Sequence, residues 1–235
     1  MNLMRSSSWR LYERAAALGL AVLFAVGAAG HVMAPTLPWM LRMTPGFLLA
    51  TAVLATVPSA AYGGVRFLTW LAGACALTFA AEAVGVATGL VFGEYEYGAT
   101  LGPAWRGVPL IIAFNWVVVV NGTVWMATRL TAGSPAVGRR WKIALWAGLA
   151  AMLFDGLMEP VAMRLDYWRW PGDTVPLQNY AAWFAIAALA AAAHPLSGRA
   201  SGRVPEGEGR LAGFFVLVQA AFFAALRVIW LFQGG

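Results

Sequence analysis

Apolar residues fill the chain in long unbroken runs, separated by short clusters of Arg, Gly, Pro, Ser and aromatic residues. A run such as Ala15 to Ala29, with no period-2 alternation, selects helix over strand. A helix crossing a hydrocarbon core of about 30 Å needs about 20 residues. Seven stretches meet or approach that length: Tyr12 to Met33, Gly46 to Tyr62, Arg66 to Val91, Val108 to Leu130, Trp141 to Met163, Gln178 to His194 and Leu211 to Phe232, the second and sixth being short. The pattern predicts an all-α polytopic membrane bundle of about seven transmembrane helices, with residues 1–235 forming a single integral membrane domain. Arg5, Arg10 and Arg14 precede the first run as in a signal peptide, but the run is long for one and no cleavage motif stands out. It is read as a retained span.

Composition agrees: 61% of the 235 residues are hydrophobic and 11% charged, against about a quarter charged in soluble domains. The net charge of +6 does not point to a nucleic-acid partner, because the basic residues flank apolar runs, as at a membrane surface. A cytoplasmic N-terminus places Arg5, Arg10, Arg14, Arg66, Arg129, Arg139, Arg140, Lys142, Arg199, Arg203 and Arg210 inside, eleven of the 16 basic residues. Only Arg42, Arg106, Arg164, Arg169 and Arg227 fall outside, so a multi-pass protein of the cell membrane with this orientation obeys the positive-inside rule. Residues 132–140 and 197–210 then read as cytoplasmic loops, and 92–107 and 164–177 as outer-face loops. Cys75 is the only cysteine, which excludes an intramolecular disulfide or a cysteine metal site.

Three acidic residues fall inside spans: Glu82 in the third, Asp155 and Glu159 in the fifth. Each must face protein or a polar cavity. At about 1.5 Å per residue they lie roughly 13, 12 and 6 Å below the outer face, and Asn115 about 10 Å. Asp155 and Glu159, at i and i+4, share a face; Glu82 shares one with Gly85, Gly89 and Gly93, a ladder expected to pack closely and turn Glu82 inward. Pro160 cannot donate to the Gly156 carbonyl, which predicts a kink and an acceptor needing another partner. These groups could simply bond one another and lock the helices together. Matched depth favours a site, in which one of two adjacent desolvated carboxyls keeps its proton and serves as a Brønsted acid.

The outer loops add Tyr95, Tyr97 and Trp105, then Tyr167, Trp168 and Trp170, with Trp116, Tyr180 and Trp183 in the neighbouring spans. An interfacial aromatic belt accounts for such residues singly. Grouped beside buried carboxylates, they suggest a pocket for a long apolar ligand that stabilises a cation on π faces.

Two blocks carry a resemblance. One is Glu82-Ala-Val-Gly85-Val-Ala-Thr88-Gly89-Leu-Val-Phe92-Gly93-Glu-Tyr95-Glu-Tyr97, followed by Leu101-Gly102-Pro103 and Gly107-Val108-Pro109-Leu110. The other is Asp155-Gly-Leu-Met-Glu159-Pro160-Val-Ala162, then Tyr167-Trp168-Arg-Trp170, Val175-Pro176, Asn179-Tyr180 and Trp183-Phe184. Together, over about residues 80 to 185, they resemble the integral-membrane carotenoid hydratase family, of the bisanhydrobacterioruberin hydratase and bacterial carotenoid 1,2-hydratase type. The resemblance implies a hydro-lyase that adds water to the terminal C=C of an acyclic (psi) carotenoid end group, giving a tertiary hydroxyl with no cofactor and no metal. Asp155 or Glu159 would donate the proton, Glu82 would hold water and take up its proton, and Asn115 would orient that water. Tyr95, Tyr97, Trp116, Tyr167, Trp168, Trp170, Asn179, Tyr180 and Trp183 would bind substrate. The implied partners are the carotenoid, arriving from the bilayer, membrane lipids and other carotenoid-pathway enzymes.

Rival classes lack their residues. A retinal protein needs a lysine in the last span, and the only lysine is Lys142; lipid hydroxylases need a histidine cluster, and the two histidines, His31 and His194, stand at the ends of different spans, where they read as interfacial. No aspartate-rich diphosphate motif and no dinucleotide fingerprint is present. A carotenoid end-group cyclase would share the protonation step and exclude water. A transporter or carotenoid-binding protein could use the carboxylates as a proton relay, but no inverted repeat is visible.

Overall fold

The computed structural model describes residues 7–135, 137–198 and 207–233. Arg5, Arg199 and Arg203, with most of the loop expected at 197–210, lie outside the described residues. The helices are α1 (Ser7–Val32), α2 (Leu37–Thr88), α3 (Leu110–Leu130), α4 (Arg139–Arg164), α5 (Leu177–Ala193) and α6 (Arg210–Phe232). Five are long and apolar enough to cross a membrane, and α5, at 17 residues, is shorter. The exterior is apolar, with Leu11, Val26, Leu153 and Leu231 all more than 60% exposed, the inverse of a water-soluble surface. Threonine hydroxyls within the spans are spent on their own helix, as Thr51 donates to Phe47 O at 2.8 Å and Thr78 to Ala74 O at 3.0 Å. This is a helical membrane protein.

The second and third expected spans follow one another with no loop between them, as two helical arms that together make the 52 residues of α2. A straight helix of that length would reach about 78 Å, and Thr44 and Glu82 would stand about 57 Å apart. Both line the same cavity, so α2 doubles back between them. The reversal falls at Gly64, whose φ of 56° and ψ of −144° are non-helical and midway between the two residues. The first arm starts at Leu37, not Gly46: Pro45 sits within it at the cost of one ladder bond, its ring packed against Gly102. The second arm stops at Thr88, where Gly89 (φ 68°) caps it by donating to Gly85 O at 2.8 Å.

Helix α3 is the central element, with 72% of its apolar window buried against 28–39% for the other four long helices. It contacts α2, α4, α5 and α6. Two short ribbons cover one end of the bundle: β1 (Glu96–Tyr97) pairs antiparallel with β4 (Trp168–Arg169), setting Tyr97 opposite Trp168, and β2 (Ala104–Trp105) pairs with β3 (Val108–Pro109). Arg106 and Gly107, at φ 53° and 80°, form the two-residue turn of the second ribbon. The loops expected at 92–107 and 164–177 are thus stitched together by β1 and β4. At the opposite end, Leu196 N donates to His194 Nδ1 (3.1 Å), which leaves Nε2 to donate to Asn121 Oδ1 (3.2 Å), while Asn121 donates to Ser59 Oγ (2.9 Å). His194 is therefore a buried packing residue, not an interfacial one, and His31 is buried too.

Candidate active site

Glu82 leaves the second arm of α2 pointing inward, as expected, but the glycines around it do a different job. Gly89 and Gly93 lie beyond the helix, so no helical ladder exists. A Cβ on Gly85 would stand 2.7 Å from the Phe92 ring and 3.3 Å from the Tyr95 hydroxyl. Its absence lets the loop after α2 fold back over Glu82. That loop delivers Tyr95 OH to Glu82 Oε2 at 2.5 Å and Tyr97 OH to the same oxygen at 2.7 Å, while Trp116 Nε1 of α3 donates to Oε1 at 2.7 Å. Burial, then the Glu82 carboxylate, pushes both tyrosine hydroxyls well above their ordinary range, so they remain donors at every physiological pH.

Glu159 of α4 is held in the same manner. Trp168 Nε1 and Trp170 Nε1 donate to Oε2 at 2.8 and 2.9 Å, and Asn179 Nδ2 of α5 reaches Oε1 at 3.2 Å. Strand β4 sets this up, because its pairing with β1 fixes Trp168 above α4. Asp155, one turn earlier and fully buried, has a single donor, Asn179 Nδ2 at 2.7 Å on Oδ2. Its Oδ1 has no hydrogen-bond partner among the described residues. A carboxylate offers about four acceptor sites. Glu82 and Glu159 each have three occupied and Asp155 has one, although all three are buried.

Both groups open on one cavity of about 230 Å³. Of the residues expected to act or bind, Glu82, Glu159, Tyr95, Tyr97, Asn115, Trp116, Tyr167, Trp168, Trp170, Asn179 and Trp183 line it. Asp155 and Tyr180 do not: Asp155 stands behind Asn179, and Tyr180 packs beside Gly156. Trp116 and Trp183 stack with centroids 3.5 Å apart and planes at 17°, and Tyr95 lies 5.1 Å from Trp170. The expected free acceptor at Gly156 O is served by Arg227 of α6, whose Nη1 lies 3.3 Å away.

The sequence did not reveal the rest of the wall: Phe24 and His31 from α1, Met40, Thr44 and Phe47 from the first arm of α2, and Gln219, Phe222 and Phe223 from α6. Hydropathy cannot separate a cavity-facing phenylalanine from a lipid-facing one. Gln219, a lone amide in an apolar run, was the one available signal. The site thus combines two carboxylates with three donors each, a third carboxyl behind one of them, and a largely aromatic chamber. Such a chamber can hold an apolar group beside an acid and shield a transient cation.

The sequence profile of the family described as carotenoid biosynthesis protein matches residues 44–234. Over 119 residues the chain is 33% identical to bisanhydrobacterioruberin hydratase of Haloarcula japonica, a match covering 48% of this chain and 39% of that one. The chain therefore spans about two-fifths of the length of the curated relative it matches. No solved structure matches.

Proposed function

Since the chain belongs to the carotenoid biosynthesis protein family, we propose that it is a membrane-embedded hydratase that adds water to the terminal C=C of an acyclic carotenoid end group. The observation that carries this reading is the unequal satisfaction of three buried carboxyls around one aromatic cavity. Asp155 and Glu159 share the Asn179 amide and lie on adjacent turns, where two uncompensated negative charges repel strongly. The pair holds one proton. Glu159, which lines the cavity, passes it to the less substituted alkene carbon, leaving a tertiary cation against the indole faces. Glu82 has one acceptor site left for a water, which Asn115 helps to aim; the water oxygen bonds to the cation and its surplus proton goes to Glu82. Asp155 is the proton store behind Glu159. No redox change occurs: alkene plus water gives alcohol, and the proton gained by Glu82 returns to the Asp155–Glu159 pair before the next turnover.

In the same reading the two arms of α2 count as two crossings, giving seven in all, with the N-terminus in the cytoplasm and the ribbons on the outer face. Pigment analysis of a host that accumulates an acyclic carotenoid tests the activity. Expression should yield a more polar, hydroxylated carotenoid. A less polar, cyclised product would favour end-group cyclisation instead, and unchanged pigment with the protein present in membranes would overturn both.

A further inference from the structure

The wall of the cavity is closed at one end and open at the other. Around the carboxylates, Trp116, Trp168, Trp170 and Trp183 are all no more than 8% exposed. At the other end Leu23 and Val26 of α1 and Met43 of α2 line the same cavity while being 45%, 61% and 62% exposed. A side chain that faces both a cavity and the exterior stands at its mouth. This mouth lies between α1 and the first arm of α2, and its neighbours on the outside are apolar: Leu18, Val22 and Trp39 are each more than half exposed. Among the described residues lining the cavity, the acidic and basic side chains are Glu82 and Glu159, both at the closed end, and His31, which is buried. The mouth therefore opens on lipid. Met40 and Met43 at its rim are unbranched and can adjust to a passing chain.

The size of the chamber says how much of a ligand goes in. At about 230 Å³ it falls below the roughly 300–1,000 Å³ of sites that enclose a drug-sized molecule. A carotenoid is longer than such a molecule, so most of it has to remain outside. We propose that the gap between α1 and the first arm of α2 is a lateral portal, through which a linear isoprenoid threads one end first while its other end stays in the bilayer. This deepens the hydratase reading and rests on it for the identity of the ligand. It makes the protein a reader of one end per binding event, indifferent to the structure of the far end. A product altered at both ends requires release and a second threading from the opposite end.

The test uses the full-length wild-type protein in lipid nanodiscs and an acyclic isoprenoid probe. The probe keeps its natural terminal isopropylidene and carries a photoreactive diazirine on the chain, several isoprene units inward. After illumination, adducts are mapped by mass spectrometry with and without unlabelled acyclic carotenoid. The expected result is labelling of residues 23–43, cut about tenfold by competitor at ten times its dissociation constant. Competed adducts on the outer surfaces of α4 or α5, or no competed adducts at all, would overturn the portal. Product polarity is scored in the same samples. Competed labelling of residues 23–43 with no alcohol would sink the hydratase reading and leave the portal standing. Alcohol formed with competed adducts elsewhere would do the reverse.

Discussion

Asp155 and Glu159 differ by one helical turn and by two hydrogen bonds, and the proposed mechanism rests their different roles on that difference. Glu159→Gln removes the proposed proton donor and should lower alcohol formation by about 10²–10⁴-fold, the usual worth of a general acid. Asp155→Asn should also lower it, with the loss read in how turnover depends on pH. Equal, near-wild-type product from both variants in isolated membranes would contradict the scheme. Tyr167 offers a second check, outside the spans. Burial pushes its hydroxyl up to about 12 from an ordinary 10.0, a Thr44 hydrogen bond opposing this. Because the folded state favours the neutral phenol, its contribution to stability is complete below pH 10 and is lost as pH rises through about 12. Thermal unfolding in detergent, followed with tyrosinate absorbance, should show that late loss; Tyr167→Phe should reduce it and leave the part due to Tyr95 and Tyr97. The carboxylates were legible in the sequence because a charge in an apolar run needs a reason. That Asp155 stands behind Asn179 was not, since helical periodicity gives a face but not what the facing helix places there.

Two elements depend on single residues that can be tested cleanly. Nothing lies within 4 Å of a Cβ placed on Gly64, so Gly64→Ala introduces no clash and isolates the cost of its backbone conformation. The substitution should destabilise the protein by about 1–3 kcal/mol, measured as unfolding in detergent. In α4, Pro160 deprives the Gly156 carbonyl of its helical donor and Arg227 replaces it from α6. Arg227→Met alone should cost about 1–3 kcal/mol, whereas adding Pro160→Ala restores the lost N–H and should recover much of it. Additive effects in that cycle would mean that Arg227 acts elsewhere. The freed carbonyl could be read from the sequence, because proline chemistry is local. Its rescuer could not, because 67 residues separate Arg227 from Pro160. The break between the second and third expected spans was legible at Gly63-Gly64, but that the chain reverses there without a loop was not, because hydropathy carries no information on φ and ψ.

At the scale of the whole molecule, a helical membrane bundle was evident from hydropathy, and the carboxylate-bearing side of it from depth and aromatic content. The aromatic end of the cavity was legible too, but its other walls were not, because α1, the first arm of α2 and α6 close it with residues no different from lipid-facing ones. The proposed orientation predicts that a cysteine at position 133, in a Cys75→Ala background, reacts with an impermeant thiol reagent only in inside-out vesicles. Labelling of intact cells would reverse the topology. The stacked Trp116 and Trp183, with Trp168 and Trp170 beside them, also give the protein an optical property. Indoles beside a conjugated polyene lose their emission to it by energy transfer, so under the proposed function the unlabelled protein should report its own occupancy. Hydration of a terminal double bond outside the conjugated system leaves the polyene's colour unchanged, so this quenching follows binding and is blind to turnover.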